Sequence, residues 1–322
     1  MRRLEIVHRT RYRYGEPVTL GEYRLMFRPR DSHDLRLLST SLVIEPAAQV
    51  RWIHDPFGNS IAIASFQGET NQLEFVSTIR LEHFGAPPDL QPLEEYARKL
   101  PFSYLAEEAP DLARYVERAY PDPNAAVSNW TRQFLEVNEG AEDSHDTFAT
   151  LSRMCGAIKE TLTYNMRFSP GTQPPAETLE LGSGTCRDYA LLMMEGARAF
   201  GLAARFITGY LYDPALDSAA NSGGSAANAG DGKNADGGGN SEGPAVPAFP
   251  HAWMEVYLPG AGWVEFDPTN GIIGSERLIR VGVARDPEQA MPIKGSFTGS
   301  AGVAVESLVD VAVRSIADAP RS

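Results

Sequence analysis

Cysteine is scarce: two in 322 residues, Cys155 and Cys186. Two thiols build no disulfide framework, and their spacing fits no zinc-ligand pattern, so no metal site and no cofactor are expected. Basic residues are also in the minority, 29 lysines and arginines against 42 acidic residues, giving a formal net charge of −13. That balance argues against nucleic acid or an anionic membrane surface as the main partner. No apolar run approaches the length of a membrane span. There is no P-loop, no His-x-x-x-His pair, no internal repeat and no heptad array. The opening MRRLEIVHRTRYRYGEP lacks the apolar stretch of a signal peptide. The expectation is a soluble protein of the reducing cytoplasm, where free thiols persist.

What is present is ordinary globular material, 43% apolar and 22% charged. The length predicts two or three folding units. Residues 1–88 read as an antiparallel β-sandwich. LEIVHRTRYRY, EYRLMFRPR, LRLLSTSLVIEP, QVRWIHDPFGN, SIAIASFQG and QLEFVSTIRLEHF are short and turn-separated, and several alternate apolar with polar residues. Three prolines in GAPPDLQPLEEY cannot donate ladder hydrogen bonds and mark a boundary near 85–92. A helical connection is predicted over 89–150, then an α+β unit over 151–275, then strands and a tail over 276–322. In SHDTFATLSRMCGAIKETL, Phe148, Leu151, Met154, Cys155, Ile158 and Leu162 form one helical stripe, with Asp146 or Ser144 as its cap. Residues 217–247 contain no aromatic and little apolar mass, and are predicted to be a flexible insertion, either a lid or a neutral excursion.

The chemistry concentrates in three places. In LGSGTCRDYALLMMEGARAF, Cys186 follows a Gly-Ser-Gly turn and opens an apolar helix. The thiolate is the nucleophilic form of cysteine, and a helix N-terminus offers unpaired N–H groups and positive dipole to an anion. Those N–H groups also suit an oxyanion, and Gly182 and Gly184 would allow close approach of substrate. The plain alternative is a small buried residue, the reading given to Cys155 on its apolar stripe.

A thiol of this kind needs a base. His8, His33, His54, His83 and His145 sit among polar neighbours and read as surface or turn residues. His251 opens the strand HAWMEVYL, where His251, Trp253, Glu255 and Tyr257 share a face. The opposite, apolar face is expected to meet the core, leaving the His251 face toward a cleft with Trp253 as a wall or as packing. Asp267 ends the returning strand WVEFD and is a candidate to fix the imidazole, with Asn270 in reserve. A four-residue turn over 259–262 would put His251 and Asp267 on opposite faces. A three-residue turn or a bulge brings them to one face. Asp188 is expected to support the first helical turn.

GSGTCRDYA, HAWMEVYLPGAGWVEFDPTNG and the order Cys, His, Asp resemble the bacterial transglutaminase-like superfamily. WIHDPFGN resembles a marker of the β-domain that precedes the core in those proteins, and IRVGVARDPEQAMPIKGSFTG is similar to their C-terminal segment. The resemblance implies a papain-like core with Cys186 as nucleophile, His251 as general base and acid, and Asp267 as the orienting carboxylate. It implies acyl transfer from a peptide or protein amide through a thioester, as in a cysteine protease, ending on water or an amine; hydrolysis is the expected outcome. Tyr164 is a weak candidate for a second oxyanion donor, with a core role as its alternative. Gly184 and Trp253 are weak candidates for substrate contact. Such proteins are often encoded near ATP-grasp and alpha-E proteins, an association only. A transglutaminase-like module that has lost its chemistry and only binds is the alternative function.

Overall fold

The computed structural model describes residues 1–88, 93–136, 145–167, 171–214 and 250–316. The predicted insertion 217–247 and the alternative cap Ser144 lie outside them. Six strands come first: β1 (Arg2–Leu20), β2 (Tyr23–Arg28), β3 (Leu35–Glu45), β4 (Gln49–His54), β5 (Ser60–Ser65) and β6 (Glu69–His83). They divide into two sheets. One runs β1–β6–β3 and the other β2–β5–β4, all antiparallel. Period-2 alternation places Leu25, Phe27, Ala62, Ala64, Leu73 and Phe75 between the sheets, where their apolar surface leaves water.

Among the described residues five α-helices follow or interleave: α1 (Ala109–Val116), α2 (Ala126–Glu136), α3 (Thr147–Thr161), α4 (Pro175–Leu181) and α5 (Cys186–Ala199). Asp146 caps α3, accepting a hydrogen bond from the Ala149 N–H at 2.7 Å. Between α3 and α5, β7 (Thr163–Tyr164) pairs in parallel with β8 (Ser183–Gly184). The second unit is built on β9 (Ala204–Leu211), β10 (His251–Leu258), β11 (Gly262–Asp267), β12 (Ile272–Ile273) and β13 (Leu278–Ala284), in the order β12–β11–β10–β9–β13. Helix α5 is buried nearly all round. Its Leu191 and Met194 pack with Met254 and Val256 of β10 and with Met154 and Ile158 of α3.

Tyr210 and Ile279, on the same face of this sheet as Phe206, pack with Val281 against Leu4, Ile6, Met26, Ile61 and Ile63 of the sandwich. On the opposite face Trp253 is buried with Ile207 and Leu278, and Arg280 reaches Asp34 of the β2–β3 loop. The DPFGN turn fastens the two units. Asp55 accepts hydrogen bonds from the N–H groups of Phe57 and Asn59, and Asn59 then pairs with both the N–H and the carbonyl of Val283, at 2.9 and 2.7 Å. Residues 276–316 divide between sheets. β13 belongs to the second unit, β14 (Ile293–Lys294) pairs with β2, and β15 (Phe297–Thr298) and β16 (Val305–Ser315) pair with β1. Two histidines expected at the surface are buried. His8 is 2% exposed, bonded to Tyr210 Oη and Thr10 Oγ1, and burial lowers its pKa to about 4. His83 is equally buried against the Leu278 carbonyl. Their polar sequence neighbours point to the opposite side of each strand, so local polarity misreports them.

Candidate active site

Cys186 is the first residue of α5, and the turn before it explains why. Gly182 ends α4 in the left-handed conformation, φ 59°. Gly184 is buried, and a Cβ there would stand 2.9 Å from the Asp188 Cβ and 3.2 Å from the Tyr189 ring. Both glycines therefore serve the chain's own turn, and the space beside Gly184 is filled by the helix rather than left for a substrate. Asp188 closes the start of the helix. One carboxylate oxygen accepts from the Thr185 N–H and hydroxyl at 2.8 and 2.9 Å, and the other from the Gln173 N–H and Arg167 at 2.7 and 2.8 Å. Cys186 is left partly exposed at the positive end of the helix. Cys155, by contrast, is buried on α3, and burial together with the Asp267 charge pushes its pKa up to about 12.

The β10–β11 hairpin has a three-residue turn, with Leu258 opposite Gly262 and Met254 opposite Phe266. Trp253 consequently stands opposite Asp267, and His251 lies two residues along the same face. The imidazole Nε2 lies 2.8 Å from Asp267 Oδ2. Asp267 is fully buried and further held by Asn270 Nδ2 at 2.8 Å and by the N–H groups of Thr269 and Asn270. Asn270 Nδ2 is also 3.3 Å from His251 Nε2. Burial works against a charged imidazole, but the charge and hydrogen bond of Asp267 and the interaction with the Cys186 sulfur outweigh it, raising His251 to about 10. The Asp267 carboxyl is held below its ordinary range: burial opposes this, and His251 and Asn270 overcome it.

Three expectations about surroundings need correction. Trp253 lines no cleft; it is wholly buried and stacks on the His251 ring, centroids 5.9 Å apart. Glu255 is likewise buried, between Arg205 and Arg280, and Arg280 in turn reaches Asp34 of the β2–β3 loop. Tyr164 is not a core aromatic. It is 49% exposed and lies beside Cys186; burial and the sulfur's proximity raise it to about 12. Tyr164 reaches the cysteine because β7 pairs with β8, placing Tyr164 opposite Gly184. Asn270, held in reserve, touches both His251 and Asp267, and Asp-Pro-Thr-Asn after a strand is the turn signal for it.

A central helix opening on cysteine and packed on an antiparallel sheet that carries the His–Asp pair defines a transglutaminase-like, papain-like fold. Residues 4–82 match the bacterial transglutaminase-like N-terminal region and residues 135–268 match the transglutaminase-like superfamily, so the chain carries both parts of a bacterial transglutaminase-like protein. An uncharacterized protein of Mycobacterium leprae is 22% identical over 315 residues, covering 97% of this chain and 99% of its own. Another, from Mycobacterium tuberculosis, is 28% identical over 325 residues, covering 96% and 92%. Among solved structures, a chain from Cytophaga hutchinsonii described as a "putative cysteine protease" superposes with a TM-score of 0.70 at 15% identity, covering 99% of this chain and 92% of its own. Among the described residues no helix is long and apolar enough to cross a membrane.

Proposed function

We propose that this protein is a cysteine-dependent acyl-transfer enzyme acting on amide or peptide bonds, with Cys186 as nucleophile, His251 as general base and acid, and Asp267 as the orienting carboxylate. The observation that carries the reading is the convergence of a helix-start thiol on an imidazole whose Nε2 is bonded to a buried carboxylate. With Nε2 engaged by Asp267, Nδ1 is the nitrogen left for the sulfur. It takes the thiol proton, and the sulfur attacks the amide carbon. The Cys186 N–H, with the Tyr164 hydroxyl beside it, is placed to stabilise the developing oxyanion. The imidazolium returns its proton to the departing amine as the C–N bond breaks. Water then adds to the thioester, its proton passing through His251 to the sulfur as the acid leaves.

Hydrolysis is favoured over amine transfer because Tyr164, beside Cys186, is half-exposed and leaves this side of the sulfur open to water. Two free thiols fit a reducing compartment such as the cytoplasm. The test is to trap the thioester by mass spectrometry with a panel of peptide esters and amides. The wild type should gain the acyl mass on the Cys186 peptide, and C186A should gain none. Equal spectra from both proteins would refute the reading.

A further inference from the structure

We infer that Trp253 and Glu265 are positioning residues for His251, fixing the plane of its ring through a row of side chains on the face of the β10–β11 hairpin opposite α5. The inference rests on the catalytic reading above and extends it to residues that touch no reacting atom. The row follows from the hairpin register. His251, Trp253 and Glu255 of β10 share one face with Glu265 and Asp267 of β11, and Glu265 stands opposite Glu255. The indole stacks on the imidazole with a 28° angle between the rings. Its far edge is set by Gly209 of β9, which pairs with His251. A Cβ at Gly209 would lie 2.7 Å from Trp253 Cη2 and 2.2 Å from the Ile279 carbonyl oxygen. Only glycine leaves room for the indole in this orientation.

The polar edge of the indole is where the second observation lies. Trp253 Nε1 and Glu265 Oε2 are both buried, and neither completes a hydrogen bond elsewhere. The indole N–H is near enough to Glu265 to favour its ionised form. Two orphaned, complementary groups on one face are expected to satisfy each other, because a buried unpaired donor or acceptor is unfavourable. The charged groups facing Glu265 are Glu255 on β10, Arg280 on β13 at 3.4 Å, and Asp34 from the β2–β3 loop; Arg205 on β9 holds Glu255. Burial and the Glu255 charge push Glu265 up to about 8 against Arg280. The anchor of the indole therefore gains charge within the range where a thiol nucleophile is assayed.

The experiment follows the rate of Cys186 alkylation by iodoacetamide between pH 6 and 9.5, read by peptide mass spectrometry on the full chain. Wild type, H251A, E265L, E265Q and W253F are compared, with thermal melts as a check on folding. E265L is expected to slow alkylation roughly tenfold, the scale of a modest misplacement of a reacting group. E265Q, which keeps a carbonyl acceptor for the indole, recovers most of that loss but lacks the wild-type inflection near pH 8. W253F keeps a stacking ring without the N–H and also lacks the inflection. Wild-type profiles in both E265Q and W253F overturn the inference. If H251A alone is slow, only this inference fails. If H251A matches wild type, the catalytic reading fails and takes the inference with it.

Discussion

The two cysteines differ by environment, and labelling should separate them. Cys155 is 1% exposed, with its thiol pushed up to about 12, while Cys186 is partly exposed beside His251. Iodoacetamide at pH 7.5 is expected to modify Cys186 alone, with Cys155 reacting only after denaturation; equal slow labelling of both would contradict the assignment. The His251–Asp267 pair makes a stability prediction with a definite sign. His251 rises from 6.5 to about 10 on folding, so its contribution is complete below pH 6.5 and is lost as the pH climbs through about 10. Asp267 is depressed from 3.8, so its contribution is present above that value and lost as the pH falls through the lower folded one. Wild type should therefore exceed D267N most between about pH 4 and 6.5, by an amount on the order of a few kcal/mol. The difference should shrink toward pH 10. Urea titrations at pH 5, 8 and 10 measure it, and a pH-independent difference would refute it.

At the scale of elements, the start of α5 is held by one side chain. Asp188 is fully buried and receives four hydrogen bonds from Thr185, Gln173 and Arg167. D188A strands an arginine and two backbone donors and should destabilise by about 3–5 kcal/mol, the scale for one partner removed from a buried pair. Denaturant unfolding checks this, and a loss below about 1 kcal/mol would mean the turn is held elsewhere. These elements also show what was legible in the sequence. Cys186 at a helix start, the His251 strand and the parity condition on the hairpin all come from local spacing, and the three-residue turn satisfies that condition. The fate of Trp253 and Glu255 was not legible, because strand alternation gives two faces without saying what covers each. The cover comes from Leu278 over Trp253 and from Arg280 over Glu255, both on β13, with Arg280 reaching Asp34 far away in sequence. For Tyr164 the sequence left an oxyanion role and a core role open for a similar reason: only the parallel pairing of β7 with β8 carries it to the cysteine.

Across the whole molecule, sequence order and spatial order part company. The N-terminal sandwich was readable as strands, yet its outer strand comes from the other end of the described chain. β16 pairs with β1 from Leu4–Ser315 to Tyr14–Val305, burying Val311 and Val313 against the sandwich. Removing residues 300–322 would leave that long flank of β1 unpaired, and exposed strand edges template association. The truncated protein is expected to elute as aggregates in size-exclusion chromatography and to melt well below the full chain; a monodisperse, equally stable product would refute this.

The β1–β16 ladder also dictates a timetable. During synthesis the sandwich emerges early, but its last strand is made only after the whole thiol-bearing unit has been made. Until then the nascent β1 has an open flank, and the Cys186 helix and the β10–β11 hairpin fold beside an unfinished neighbour. The sandwich is thus the first part begun and the last part closed.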